Sequence, residues 1–157
     1  MKRKEMTKEE KYEEAYLQIA SLVAGESDQI ANMANISSLL HEQFGFWWTG
    51  FYRVVSANEL VLGPFQGPVA CTRIKKGRGV CGTAWETDTT QVVPDVELFP
   101  GHIACSSESK SEIVVPLHSQ DGSIIGVLDI DSAELNTFDE TDRHWLEKIC
   151  CQVFSSL

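Results

Sequence analysis

The sequence predicts an α+β fold with a mainly antiparallel sheet and helices packed beside it. Three observations carry this reading: helical periodicity at both ends of the chain, two hairpin signals between them, and no regular βαβ alternation. From Thr7 to Ala24 the residues Tyr12, Ala15, Tyr16, Ile19, Ala20 and Val23 recur at steps of three and four, which places them on one helical stripe. Gly25 breaks the pattern. Ser27 or Asp28 then caps a second helix that turns Ile30, Met33, Leu40 and Phe44 toward the core and ends at Gly45. The aromatic and β-branched run 46–55 and the segment Glu59-Leu60-Val61-Leu62, separated by a polar turn, predict a hairpin.

The stretch from Gly63 to Ser111 holds most of the glycine and proline and only short apolar runs, so it is expected to be loop-rich, with one short helix after Gly82. Loops of that length in a compact domain usually carry function. Strands resume at 113–117 and 124–130, joined through Gln120-Asp121-Gly122, a strong turn signal. Thr137-Phe138-Asp139-Glu140 is expected to open the last helix as a capping box, with Trp145, Ile149 and Val153 buried. The expected organisation is one domain over residues 1–157, with residues 1–6 a flexible tail.

The chain of 157 residues is large enough to bury a core without disulfides or a structural metal. Its formal charge of −10 argues against nucleic acid and anionic membranes as partners. No stretch reaches the roughly 20 apolar residues of a membrane helix, and the basic N-terminus is followed by glutamates rather than an apolar run. A cytoplasmic location is expected, where an odd count of five cysteines stays reduced.

Cys71, Cys81 and Cys105 all fall in the loop-rich third. Each alone reads as a small core residue, but three together in glycine-rich loops point to thiol chemistry. Cys81 sits where a helix could begin, Cys71 is close to Arg73, Lys75 and Lys76, and Cys105 follows His102 by three residues. Helix-dipole reasoning favours Cys81 as nucleophile, although spacing cannot rank the three. Gaps of nine and 23 intervening residues match neither a Cys-x-x-Cys motif nor paired zinc knuckles, so no metal is expected. The adjacent Cys150 and Cys151 read as packing residues. Asp129 and Asp131 share one strand face, where they either bind a cationic group or leave the sheet for solvent; Glu112, just before a strand, invites the same two readings. Trp48 and Tyr52 also share a face, either in the core or as an aromatic pocket wall.

Six segments together resemble the free methionine-R-sulfoxide reductases, a family built on the GAF domain: Trp48-Thr49-Gly50-Phe51-Tyr52, 63–71, Gly77-Arg78-Gly79-Val80-Cys81-Gly82-Thr83-Ala84, Phe99-Pro100-Gly101-His102-Ile103-Ala104-Cys105, 111–117 and Gly126-Val127-Leu128-Asp129-Ile130-Asp131-Ser132. The last two suggest only a GAF domain, whereas the three cysteine contexts distinguish the reductases from sensor relatives. The resemblance spans nearly the whole chain and no motif position departs from it. It implies a GAF-like fold, with the terminal helices on one side of the sheet and pocket-forming loops on the other, and a homodimer. It further implies that free methionine-(R)-sulfoxide is the substrate, Cys105 the nucleophile, Cys71 the resolving thiol and Cys81 a secondary thiol. Glu112 or Asp131 would be the acid, Asp129 and Asp131 the ammonium site, and Trp48 and Tyr52 the wall at the methyl-sulfinyl end. No cofactor is implied, and the reductant would be thioredoxin or a similar dithiol. The alternatives are a non-catalytic GAF sensor module and a redox-switched interaction protein.

Overall fold

The computed structural model describes residues 5–102 and 108–155. Helix α1 (Lys8–Val23) starts at a capping box in which Thr7 and Glu10 satisfy each other's backbone amides, and it buries Tyr12, Ala15 and Ile19 as its periodicity predicts. Helix α2 (Gln29–Phe44) is capped by Asp28 and closed by Gly45 in the left-handed conformation at φ 68°. Its buried face is Asn32, Met33, Ile36, Ser37 and Leu40. Ile30, expected on that face, is 48% exposed. At roughly 100° per residue it lies about 90° around the helix from the middle of the buried stripe.

Six strands form one sheet: β1 (Trp48–Val54), β2 (Glu59–Gln66), β3 (Arg73–Lys75), β4 (Gln91–Val93), β5 (Ser111–His118) and β6 (Ile124–Ser132). Their order is β3-β2-β1-β6-β5-β4, and every neighbouring pair is antiparallel. The stretch expected to be loop-rich is more regular than its composition suggests. It contributes the second half of β2, both three-residue edge strands, helix α3 (Gly79–Thr87) and a 3₁₀ turn at Val96–Leu98. Helix α3 begins before Cys81 rather than after Gly82.

Alternation along the strands divides the apolar residues between two clusters. Phe51, Ile113, Val115, Leu117, Leu128 and Ile130 pack against α1, α2 and the last helix, α4 (Glu140–Phe154). The opposite face carries Trp48, Tyr52, Val114 and Val127, covered by Val80, Cys81, Ala84 and Trp85 of α3. Helices therefore line one side of the sheet, and α3 with the connecting loops builds the other.

Two details of α4 differ from expectation. Its capping box is Asp139 with Asp142, not Thr137 with Glu140, because Asp139 supplies the oxygen that accepts from the Thr141 and Asp142 amides. Of the paired cysteines, Cys150 is buried but Cys151 is exposed, since neighbouring helical positions lie about 100° apart. No helix among the described residues is long and apolar enough to cross a membrane.

Asp142 also ties the ends of the chain together. Its buried carboxylate accepts from the Tyr12 hydroxyl at 2.5 Å and from Lys8 Nζ at 2.7 Å. Tyr12→Phe strands one carboxylate oxygen, at an expected cost of about 2 kcal/mol. Thermal denaturation followed by circular dichroism should show a midpoint lower by about 4–8 °C. An unchanged midpoint would mean that the hydroxyl contributes nothing to the α1–α4 junction.

Candidate active site

On the face opposite the terminal helices, the antiparallel pairing of β5 with β6 sets Glu112 directly across from Asp131 and Val114 across from Asp129. Asp129 and Asp131, two residues apart, both point into one cavity of about 70 Å³, and Glu112 joins them from the neighbouring strand. Neither aspartate runs out into bulk solvent. Glu112 and Asp129 are buried, and Asp131 is partly exposed at the mouth. Three like charges so placed would repel strongly, and removal from water penalises each further. Burial, reinforced by the neighbouring carboxyls, pushes Glu112 and Asp131 well above the ordinary carboxylate range, and burial also raises Asp129. Glu112 lies next to both aspartates, and their proximity favours a protonated carboxyl in the cluster. The cluster therefore holds its protons to higher pH than exposed carboxyls do.

Cys81 sits in the first turn of α3, where the helix dipole would favour a thiolate. Burial and the nearby Asp129, Glu112 and Asp131 charges act the other way and push its pKa well up. The latter effects dominate because the thiol is only 4% exposed and faces three acids. The helix-dipole case for Cys81 as nucleophile fails on this point. Cys81 is a neutral thiol beside Asp129. The N-cap residue Arg78 makes no side-chain capping bond, so the first amides of α3 lack that acceptor where they border the cavity.

Trp48 and Tyr52 form one wall, with ring centroids 6.0 Å apart and Phe65 stacked on Trp48 at 5.2 Å. Gly50 permits this contact, since a Cβ there would lie 2.3 Å from that of Phe65. The two aromatics also hold the loop beyond β2. Trp48 Nε1 donates to the Pro68 carbonyl at 3.0 Å, and the Tyr52 hydroxyl donates to the Cys71 carbonyl at 2.9 Å. Burial raises the Tyr52 pKa far above its usual value, which keeps that donor protonated. Cys71 is disulfide-bonded, whereas Cys81, Cys150 and Cys151 are free. Cys105 lies outside the described residues.

The structure thus brings Trp48, Tyr52, Cys81, Glu112, Asp129 and Asp131 to one cavity. It adds residues that pattern reading missed. Ser109 donates to Asp131 Oδ1 at 3.1 Å. Arg78 and Trp47 line the rim, while His102, already marked by its place three residues before Cys105, also lines the cavity, and burial lowers its pKa. Glycine-rich flanks hinted at Arg78, but no sequence signal marked Ser109. Among the described residues, Cys81, Glu112 and Asp129 form a group able to hold a metal ion, a grouping that cysteine spacing did not suggest.

The raised carboxyl pKa values imply a measurable pH dependence. The folded chain holds protons that the unfolded chain releases above the ordinary glutamate value of 4.5. Their stabilising contribution is therefore complete at acid pH and is lost as pH rises toward the folded-state values. Glu112→Gln removes part of this penalty. The melting temperature of the variant relative to the parent should be higher at pH 8 than at pH 5; an equal difference at both would contradict the storage of protons by the cluster.

The GAF domain family matches residues 28–157. The chain is 64% identical over 143 residues to GAF domain-containing protein A of Dictyostelium discoideum, covering 91% of this chain and 90% of that protein. It is 46% identical over 151 residues to the free methionine-R-sulfoxide reductase of Saccharomyces cerevisiae, covering 92% and 84%. The crystal structure of the free methionine-R-sulfoxide reductase from Neisseria meningitidis in complex with its substrate superposes with a TM-score of 0.92 at 52% identity, covering 99% of this chain and 92% of that one. By this match and these relatives, the chain belongs to the GAF-domain family of free methionine-R-sulfoxide reductases.

Proposed function

We propose that this protein reduces free L-methionine-(R)-sulfoxide to methionine by a thiol cycle. The observation that carries the reading is a cavity with three clustered carboxyls at one side, an aromatic wall at another and a helix N-terminus at a third. These match the ammonium, the methyl-sulfinyl group and the carboxylate of a free amino acid. Asp129 and Asp131 take the ammonium, the first amides of α3 take the carboxylate, and Trp48 and Tyr52 enclose the sulfinyl end. Enclosure of both amino-acid termini excludes the same side chain within a polypeptide.

Cys105 is the nucleophile in this reading. Its thiolate attacks the sulfoxide sulfur while Glu112 or Asp131 protonates the oxygen, which passes to Cys105 as a sulfenic acid as methionine leaves. The Cys71 thiol then displaces water to form a disulfide, and thioredoxin or a similar dithiol returns two electrons and two protons. The bonded state of Cys71 supports its resolving role. Cys81 serves as a secondary thiol that positions Asp129. Free Cys81, Cys150 and Cys151 accord with a reducing, cytoplasmic setting. Exposed Leu17, Leu22 and Ile30 offer apolar surface for a homodimer.

The test is thioredoxin-coupled NADPH consumption with separated epimers of free methionine sulfoxide and with a peptide-bound substrate. Turnover of the free R epimer, lost in Cys105→Ser, is expected; absence of turnover with every epimer would favour a ligand-sensing role. Glu112→Gln should lower kcat by about 10²–10⁴, and no effect would exclude it as the acid. Cys71→Ser should release one methionine per chain and then stop. In Tyr52→Phe the first methionine should form at an unchanged rate while the disulfide closes several-fold more slowly, as read by sulfenic acid trapping.

A further inference from the structure

The geometry points to a second ligand for the floor of this cavity: a tetrahedral divalent cation of the zinc and cobalt(II) class, bound by Cys81, Glu112 and Asp129 and excluding the substrate when present. One donor atom from each residue lies within 4.8 Å of the other two. The side chains are 4%, 6% and 5% exposed, so the donors converge from α3, β5 and β6 away from solvent. Independently, Asp129 Oδ1 is buried with no hydrogen-bond partner among the described residues. A buried acceptor in that condition is penalised, and a cation relieves it.

Zinc bonds sulfur at about 2.3 Å and carboxylate oxygen at about 2.0–2.2 Å, so tetrahedral donors sit about 3.5 Å apart. Small side-chain rotations close the remaining distance. Three protein ligands leave a fourth position for water. One thiolate beside two carboxylates selects zinc or cobalt(II) over magnesium and calcium, which prefer six or more oxygen ligands. On binding, the Cys81 thiol proton and the carboxyl protons pass to solvent as the metal bonds form. Glu112 and Asp129 are the groups assigned above to proton transfer and to the ammonium, so exclusion of substrate rests on that reading, whereas the ion site does not.

The probe is cobalt(II) titrated into the oxidised full-length protein, in which the Cys71 sulfur is already bonded. A thiolate-to-cobalt charge-transfer band saturating at one equivalent is expected, abolished in Cys81→Ser, retained in Cys151→Ser and displaced by zinc. Asp129→Asn, which keeps the thiol, should weaken cobalt binding at least tenfold. No band, or a band that survives Cys81→Ser, would overturn the site; so would unchanged affinity in Asp129→Asn, which also decides the matter if Cys81→Ser fails to fold. Free methionine should raise the half-saturating cobalt concentration several-fold. A band at Cys81 unaffected by methionine would instead overturn the placement of the ammonium on Asp129.

Discussion

The two-residue alternation of a β-strand, combined with the antiparallel register of β5 on β6, forces Glu112, Asp129 and Asp131 onto one face of the sheet. A slip of β6 by one residue would send Asp129 and Asp131 into the apolar layer beneath α1, α2 and α4, bring Leu128 and Ile130 into the cavity and separate both aspartates from Glu112. The apolar partners on the opposite face therefore hold the acid cluster in place: Ile113, Leu128 and Ile130 are fully buried there and cannot be turned outward without a large loss of buried area. Packing on one side fixes the chemistry on the other.

That convergence sets the character of the remaining groups. Because the three carboxyls meet largely away from water, they retain protons to higher pH than exposed acids do, which eases their repulsion. The same cluster decides the state of Cys81. A helix N-terminus contributes a fraction of a charge, which burial and three nearby acids outweigh. Trp48 and Tyr52 extend the arrangement outward. Each has one face in the cavity and a polar tip bonded to the loop that carries Cys71, so the wall that would receive substrate also positions the thiol that would close the cycle.

Much of this was legible in the residues. The stripe of α1, the Gly45 stop, both hairpins and the shared face of Asp129 and Asp131 follow from periodicity and turn chemistry alone. Which side of the sheet that face occupies does not, because alternation gives parity but not direction. The edge strands Arg73–Lys75 and Gln91–Val93 have three residues each, too few to show a period, and they exist because longer neighbours offer them hydrogen bonds. Ser109 reaches Asp131 only through the pairing of β5 with β6, a contact between residues 22 positions apart. Ile30 and Cys151 failed for a different reason: an apolar residue type does not guarantee a place on the buried arc of its helix. The order of the thiols came from resemblance, whereas the physical argument against Cys81 needed the depth of its burial.

The central claim is that the acid cluster holds its protons to higher pH than exposed carboxyls do. Carbon-13 NMR titration of the side-chain carboxyls, with Glu112 assigned by its loss in Glu112→Gln, measures this directly. The account predicts that the Glu112 resonance keeps the chemical shift of a protonated acid well above pH 4.5 and that its titration is linked to those of Asp129 and Asp131. A Glu112 carboxyl that titrates near 4.5, like an exposed glutamate, would contradict it.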